Sequence, residues 1–309
     1  MHFRQITIAG VGLIGGSFGL AARRAGFMGR ILGCDRADVL LRARGLGAID
    51  DGFESLLSAA AGSDLIVLAA PVGAIIDMIG QIPSFPPDAL VTDAGSTKQA
   101  IVERARAVLG EAAGMRFLPG HPLAGKEAGG IGHADAELFR GATWLITPII
   151  GAPGSPHSLC SANPGYAFTE AQQAFFELVG RMGTTVAEIE PRRHDRLCAW
   201  SSHLPQMVAT ALATVLDDEL SGEDAILFGA GRAAREMTRL ASSPYSIWRD
   251  IALTNQGNLE GALLKLELSL SHLRENLSTR GLEEQFEQAR RFRKRIEAFA
   301  ADPAKALRD

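Results

Sequence analysis

Short apolar runs alternate with segments of helical periodicity through the first half of this chain. Runs typical of buried strands lie at residues 6–10, 31–34, 64–69, 89–93, 115–118, 143–147 and 184–189, and a helical pattern covers 169–182. Strands that alternate with helices predict a mostly parallel sheet with helices on both faces, because the crossover helices must pack there. The pattern therefore predicts an α/β domain.

The pattern changes near residue 190. From 191 to 299 the apolar residues recur at helical spacing, so we expect residues 1–190 to form the α/β domain and 191–309 an all-helical domain. A long helix is predicted over 253–277, with leucines on more than one of its faces. A helix that is apolar on several faces must be covered, and a partner subunit is the expected cover. We therefore expect a homodimer formed through the helical domain.

A glycine pattern stands between the first strand and the first helix. The spacing Gly-x-Gly-x-x-Gly at this position is the fingerprint of a doubly wound, Rossmann-like domain that binds a dinucleotide. Its glycines allow a tight turn, close approach of a pyrophosphate and close packing of helix on strand. The residues expected to bind the cofactor here are Gly10, Gly12, Leu13, Ile14 and Gly15.

Two further positions bear on the cofactor. Asp35 follows the second strand, roughly 20 residues after the glycines, where a carboxylate that binds the ribose hydroxyls is expected. This predicts NAD in preference to NADP, although the neighbouring Arg36 could accommodate a 2′-phosphate. Pro71 and Val72 follow the strand at 64–69 and either contact the cofactor or begin the next helix.

Composition narrows the class of protein. The chain has 309 residues, a net charge of −4 and no basic cluster, so nucleic acid is not an expected partner. No apolar run reaches the length of about 18 residues that a membrane span needs, and no leader pattern opens the chain, so a cytoplasmic location is expected. The scattered cysteines Cys34, Cys160 and Cys198 indicate reduced thiols and no metal cofactor.

Two loops that follow neighbouring strands carry candidate chemistry. Ser96 lies in the segment 93–98 and His121 in the segment 120–127, and both loops are predicted to open at the sheet edge that holds the glycines. A histidine there is available for proton transfer, since its reference pKa is near 6.5. The alternative is a histidine that only hydrogen-bonds its own loop.

The helical domain supplies a second group of candidates. His203 and Gln206 are predicted to share a helical face. Arg239 stands in an otherwise apolar pattern and needs an anionic partner. That partner is either Glu236 or Glu260 in a structural ion pair, or a carboxylate of the substrate.

Taken together, six segments resemble the prephenate and arogenate dehydrogenases of tyrosine biosynthesis. They are Gly10–Ser17, Asp93–Lys98, Gly120–Gly125, Ser202–Pro205 and Met237–Leu240 with Trp248–Asp250. The resemblance implies a Rossmann-like domain, a helical dimerisation domain and an active site in the cleft between them. It makes His121 the catalytic histidine, Ser96 its hydroxyl partner near the nicotinamide and Arg239 the ligand of the ring carboxylate. The other residues that it places at the substrate are Lys126, Glu127, Ser202 and His203.

The resemblance implies NAD-dependent oxidative decarboxylation of prephenate to 4-hydroxyphenylpyruvate. Many members have histidine where this chain has Gln206, so we also expect some arogenate activity, with an arogenate-preferring enzyme as the alternative. A β-hydroxyacid dehydrogenase would need a lysine base in the helical domain, and 191–221 contains no lysine. A regulator that only senses nucleotides would have no use for His121 together with Arg239.

Overall fold

The computed structural model describes residues 3–126, 128–149, 168–222 and 231–301. Two compact units, Met1–Leu259 and Glu260–Asp309, contain them. Glu127 and Cys160, both named from the sequence, lie outside the described residues. The candidate chemistry within the described residues belongs to the first unit.

A six-stranded parallel sheet forms the centre of the first unit, in the order β3-β2-β1-β4-β5-β6. Strands β1 to β3 are added toward one edge of the sheet, and β4 to β6 are added toward the other. The order of strands therefore reverses between β1 and β4, and open α/β sheets bind ligands in the crevice at the carboxyl ends of such strands. The predicted Rossmann-like sheet is thereby confirmed. Its strands are β1 (Gln5–Ala9), β2 (Arg30–Cys34), β3 (Asp51–Phe53), β4 (Leu65–Leu68), β5 (Leu90–Asp93) and β6 (Phe117–Leu118).

Apolar cores on both faces of this sheet explain its continuous apolar strands. In β4, Leu65 and Val67 join one core, while Ile66 and Leu68 join the other. Successive side chains of a strand point to opposite faces, so a strand covered on both sides must be apolar throughout. The covering helices are α1 (Leu13–Arg24), α2 (Ala37–Gly45), α3 (Leu56–Ala60), α4 (Val72–Ile79), α5 (Gln99–Leu109) and α6 (Ala113–Arg116).

A second, three-stranded sheet was not expected. The segments 143–147 and 184–189 were predicted to belong to the parallel sheet, but they form β8 (Thr143–Ile146) and β9 (Thr185–Glu188) of a separate sheet. Its third strand, β7 (Gly120–Pro122), runs antiparallel to β8. Proline has no backbone N–H to donate, and Pro119 ends the short strand β6 so that the chain leaves the first sheet here. The strand β7 pairs His121 with Leu145.

Two boundaries also differ from prediction. Met115 and Arg116 lie in helix α6 and not in a strand. The helix predicted over 253–277 is divided at Asn255, whose backbone (φ −127°, ψ 27°) leaves the helical region. In this region the side chain of Asn255 is buried and makes hydrogen bonds described below, which favours the break over a continuous helix.

Beyond β8, the other described elements of the first unit and the described elements of the second unit are helical. They include a π-helix, Ala199–His203, and a 3₁₀ turn, Arg239–Ser242. Leu264, Leu268 and Leu270 are more than half exposed. Among the described helices, none combines the length and apolar character required to cross a membrane. The helices are α7 (Glu170–Arg181), α8 (Pro191–Cys198), α9 (Leu204–Glu219), α10 (Arg232–Thr238), α11 (Tyr245–Thr254), α12 (Gln256–Glu275) and α13 (Arg280–Ala301).

A substitution of Trp144, which lies in strand β8, tests how much the second sheet contributes to stability. Its fully buried ring contacts Phe18, Phe139 and Phe175 at centroid distances of 5.9, 5.5 and 5.5 Å. We expect Trp144→Ala to lower the free energy of unfolding by about 3–5 kcal/mol, the scale of a large core truncation. Urea denaturation measures it, with the 90% exposed Met28 changed to alanine as the control. A loss for Trp144→Ala no larger than that of the control would contradict the prediction.

Candidate active site

The glycine turn leads into α1 at Gly12, and no side chain caps this helix. Gly10 has φ +89°, and a Cβ on Gly15 would overlap the Gly10 carbonyl oxygen, so neither position tolerates a side chain. A Cβ on Gly12 would meet nothing within 4 Å, and no side chain caps the helix that Gly12 precedes. An uncapped helix N-terminus reached by glycine backbone fits a pyrophosphate.

Asp35 lies beside this turn, as predicted. Its Oδ2 accepts a hydrogen bond from the Val11 N–H at 2.8 Å and its Oδ1 one from the Arg36 N–H at 2.8 Å. A carboxylate has about four acceptor positions, so positions remain for ribose hydroxyls. The side chain of Arg36 is exposed, 3.8 Å from Asp38.

A cleft of about 480 Å³ opens here. It is of the size that cofactor sites have, and Pro71 lines it, while Val72 is buried in the core as the first residue of α4. Leu13 and Ile14 are half-buried at the start of α1. The cleft is lined by Gly10, Gly12, Cys34, Asp35, Arg36, Glu54, Ala69, Ala70, Pro71 and Met78.

His121 belongs to a chain of hydrogen bonds that determines which of its ring nitrogens carries the proton. Its Nδ1 lies 2.9 Å from Nε2 of His194, and Nδ1 of His194 lies 2.8 Å from Oδ1 of Asp195. A carboxylate can only accept, so we assign the proton of a neutral His194 to Nδ1 and its lone pair to Nε2. His121 must then donate from Nδ1. Its Nε2 is consequently an unprotonated acceptor.

The carboxylate that anchors this chain is fixed by the start of α5. Asp195 accepts hydrogen bonds from the N–H groups of Lys98 at 2.7 Å and Gln99 at 2.9 Å. These N–H groups have no partner within the helix, so the carboxylate both caps α5 and gains from the helix dipole. The orientation of His194 therefore depends on where α5 begins.

A buried ion pair fixes the His121 end of this chain of hydrogen bonds. The fully buried Lys98 ammonium donates to the Asp93 carboxylate and, at 2.7 Å, to the Gly120 carbonyl. Asp93 in turn accepts from the Gly120 N–H at 3.1 Å. The residue that precedes His121 is thus held through both of its peptide groups at the end of β5.

Burial keeps the histidines of the site neutral. It lowers the pKa of His121 well below the usual 6.5, and the neighbouring His194 and Lys98 lower it further. Burial also lowers the pKa of His194, against the opposing effect of Asp195. The pKa of His203 falls to about 4, again chiefly through burial. A neutral imidazole is the form able to accept a proton.

His203 is joined to this arrangement through Asn255. The Asn255 side-chain nitrogen donates to the Asp195 carbonyl at 2.8 Å and lies 3.1 Å from Nδ1 of His203. The His203 ring also meets the Trp248 ring edge-on at 5.9 Å. Of the residues predicted in the helical region, His203 is therefore the one brought into the hydrogen-bonded centre.

Arg239 and Lys126, both predicted site residues, lie at exposed positions. Arg239 is exposed and not enclosed by apolar side chains, since the turn that holds it has no buried residue. Glu236, one of its two suggested partners, forms an ion pair with Arg232 at 2.6 Å. Lys126 is exposed and pairs with Asp135 at 2.9 Å.

Gln206 is buried and uses its amide nitrogen inside the protein. That nitrogen donates to the Leu240 carbonyl at 2.9 Å and to the Thr210 hydroxyl at 3.2 Å. One of its two N–H donors is thus directed to the 3₁₀ turn that begins at Arg239, and the other stays within α9. Ser96 is half-buried and Ser202 is exposed.

Several residues of the centre were not predicted as site residues. In the sequence Lys98 stands only within the motif at 93–98, and nothing in its spacing shows that its side chain is fully buried. The adjacent pair His194 and Asp195 offered a weak signal, but their partners lie 73 and 97 positions away. Asp250 was likewise read only as part of a motif, and its carboxylate accepts from the Gly73 N–H at 2.9 Å near the start of α4.

A dinucleotide cleft and a neutral histidine at the carboxyl edge of one Rossmann-like sheet define a dinucleotide-dependent dehydrogenase. Comparison with known proteins narrows the class. The family model described as prephenate dehydrogenase, nucleotide-binding domain, matches residues 18–153, and the model described as prephenate dehydrogenase, dimerization domain, matches 190–292.

Individual proteins are also similar to this chain over most of its length. The chain is 30% identical to a prephenate dehydrogenase of Lactococcus lactis over 95% of its own length and 78% of the relative's. A crystal structure of prephenate dehydrogenase from Aquifex aeolicus, in complex with hydroxyphenyl propionate and NAD⁺, is 29% identical with a TM-score of 0.78, covering 98% of this chain and 99% of that one. Synechocystis arogenate dehydrogenase is 26% identical with a TM-score of 0.67, at 98% and 99% coverage. The chain belongs to the prephenate dehydrogenase family.

The three neutral histidines of the site predict a loss of stability in acid. Each has a folded-state pKa below the value of about 6.5 expected in the unfolded chain, so below about pH 6.5 the unfolded state binds more protons. Unfolding then takes up as much as about one proton per histidine, so the free energy of unfolding decreases as the pH is lowered.

Urea midpoints measured from about pH 7 to about pH 5 test this dependence. We expect the midpoint to fall throughout this range, and to fall less steeply in His203→Asn, which lacks one of the groups. A midpoint that stays constant would contradict the prediction.

Proposed function

We propose that this protein catalyses the NAD⁺-dependent oxidative decarboxylation of prephenate to 4-hydroxyphenylpyruvate. Membership of the family supports the reaction, and the observation that carries it is the chain of hydrogen bonds from His121 through His194 to Asp195, from which we assign Nε2 of a neutral His121 as an acceptor. NAD⁺, when bound, would supply the acceptor for the hydride of the ring carbon that bears the hydroxyl. The Gly10–Gly15 turn and the uncapped start of α1 would hold its pyrophosphate, and Asp35 its ribose.

His121 accepts the proton of the ring hydroxyl. As the hydride leaves that carbon, the carbon becomes carbonyl-like and the hydroxyl proton grows acidic, so an acceptor within hydrogen-bond reach lowers the barrier. Loss of the hydride and of CO₂ leaves the ring as an aromatic phenolate, which takes the proton back from His121 to give the hydroxyl of the product. The gain of aromaticity makes the reaction strongly downhill. A weak base is therefore sufficient, which accommodates the lowered pKa of His121.

His194 and Asp195 are positioning residues for this step. Their hydrogen bonds place the His121 proton on Nδ1 and leave Nε2 for the substrate. The same arrangement stabilises positive charge on His121 once it has accepted the proton, because the Asp195 carboxylate ends the chain.

Arg239 is the proposed ligand of the ring carboxylate. A guanidinium binds a carboxylate through two parallel hydrogen bonds, and Gln206 supports the turn that carries Arg239 by donating to the next residue's carbonyl. We place Ser96 near the nicotinamide, and His203, Ser202, Lys126 and Glu127 around the substrate. Gln206 is neutral, so we propose that arogenate, with its ammonium group, is also accepted.

A homodimer is proposed for the helical part. The dimerization-domain model covers 190–292, and the exposed Leu264, Leu268 and Leu270 of α12 provide apolar surface for a second subunit.

The experiment that tests the function follows NADH absorbance and CO₂ release with purified protein, NAD⁺ and prephenate. We expect both products, a higher kcat/KM with NAD⁺ than with NADP⁺, and slower turnover of arogenate. No NADH from either substrate would overturn the proposal. A higher kcat/KM with arogenate would replace prephenate as the preferred substrate, and one with NADP⁺ would show that Arg36 outweighs Asp35.

His121→Asn tests the proton acceptor. We expect kcat to fall by at least about 10²-fold, the scale of general base catalysis, while the Kd for NAD⁺ measured by fluorescence titration stays the same. The control is His133→Asn, which changes an exposed histidine twelve positions later and should retain full turnover. Near-normal kcat in His121→Asn would remove this histidine from the mechanism.

Arg239→Ala tests carboxylate binding. The loss of a charge-assisted hydrogen bond, worth about 1.5–3 kcal/mol, should raise KM for prephenate by about 10- to 100-fold and leave KM for NAD⁺ unaltered. Arg235→Ala removes an exposed arginine one helical turn earlier and serves as the matched control. Equal effects of the two substitutions would assign Arg239 a structural ion pair.

A further inference from the structure

Three metal-binding side chains converge beside the proposed proton acceptor. His194 and Cys198 are four positions apart on α8 and share a face of the helix, with the Cys198 Sγ 3.6 Å from Nε2 of His194. His121 approaches the same Nε2 from strand β7, at 2.9 Å. The donor atoms of the three residues all lie within 4.8 Å of one another.

We propose that His121, His194 and Cys198 form a site for one Zn²⁺ ion, whose binding inhibits the dehydrogenase. The inhibitory part of this proposal rests on the proposed function. The ion is inhibitory and not a cofactor, because the mechanism above needs the nitrogen atoms of His121 free of metal.

The spacing of the donors suits tetrahedral zinc. With Zn–N near 2.0–2.1 Å and Zn–S near 2.3 Å, ligand atoms of one zinc ion lie about 3.5 Å apart. The distance from Cys198 to His194 already has this value. The two imidazole nitrogens would separate by about 0.5 Å, which rotation of the His121 ring provides. A site made of two imidazoles and a thiolate binds zinc in preference to magnesium.

The surroundings also favour an ion. His194 donates its other ring N–H to Asp195, the carboxylate–histidine arrangement that orients histidine ligands toward metals. Two buried carboxylates, Asp93 and Asp195, face one buried cation, Lys98, in this region. These two carboxylates and one ammonium together carry one formal negative charge, which offsets part of the charge of a divalent ion.

Binding displaces protons in a defined way. Cys198 loses its thiol proton to solvent and coordinates as the thiolate, with no change in oxidation state. His121 gives up the proton on Nδ1 to coordinate through that atom, and a proton taken at Nε2 keeps the ring neutral. Nε2 then donates instead of accepting, so it can no longer take the proton of the substrate.

Cobalt substitution tests the site without depending on turnover. Titrating the whole, metal-free protein with Co²⁺ should produce the near-ultraviolet absorption of a cobalt–thiolate bond, and Zn²⁺, but not Mg²⁺, should abolish it. Cys198→Ala should lack the band, whereas Cys34→Ala, which removes another buried cysteine, should retain it. His121→Asn should weaken Co²⁺ binding by at least about tenfold.

Inhibition is measured in the same variants. Zn²⁺ should lower the rate of NADH formation in the unmodified protein. The Zn²⁺ concentration that halves this rate should be at least about tenfold higher in Cys198→Ala. An absent band, or a band that persists in Cys198→Ala, would overturn the site. A band that depends on Cys198 without any prephenate turnover would establish the metal site and refute the proposed function. If Cys198→Ala does not fold, unchanged Co²⁺ affinity in His121→Asn overturns the proposal.

Discussion

One carboxylate, that of Asp195, holds the candidate active site together. It accepts from the first N–H groups of α5 and also from His194, so a single group serves as helix cap and as anchor of the histidine chain. Removing it would leave a helix N-terminus and a histidine without their shared partner, inside the protein. The position of the reactive nitrogen is consequently tied to the geometry of the parallel sheet, because β5 determines where α5 starts.

The buried ion pair of Asp93 and Lys98 adds a second requirement, because water must be excluded from this part of the site. Lys98 satisfies two acceptors at once, and neither side chain reaches solvent. Burial lowers the pKa of Lys98, and the Asp93 carboxylate opposes this effect. In such surroundings electrostatic effects are strong, so a cation close to His121 helps to keep that imidazole neutral until a substrate offers its proton.

The sequence predicted the parts of this structure whose physical cause is local. The apolar run at Leu65–Leu68 indicates a strand buried on both faces, and the glycine spacing indicates a turn that backbone alone can make. The strand Gly120–Pro122 was missed, since glycine, histidine and proline carry no strand pattern. His194 was missed because its role arises from a contact with His121, 73 positions away, and no periodicity records such a contact. The helical spacing predicts that Gln206 shares a face with His203, but it does not predict the contact of Gln206 with Leu240.

The π-helix Ala199–His203 places a constraint on chain length. Each residue of an α-helix turns the chain by about 100°, and this π-turn holds one residue more than an α-turn does. If the same residues formed a regular α-helix, α9 would be rotated by about that angle relative to α8. His203 would leave Asn255, and Gln206 would leave Leu240, although every side chain of the site was still present. Substitutions in this segment alter single contacts, whereas loss of the π-turn would alter all of them together. The extra residue between His194 and Gln206 is therefore as much a part of the site as the identities of its side chains.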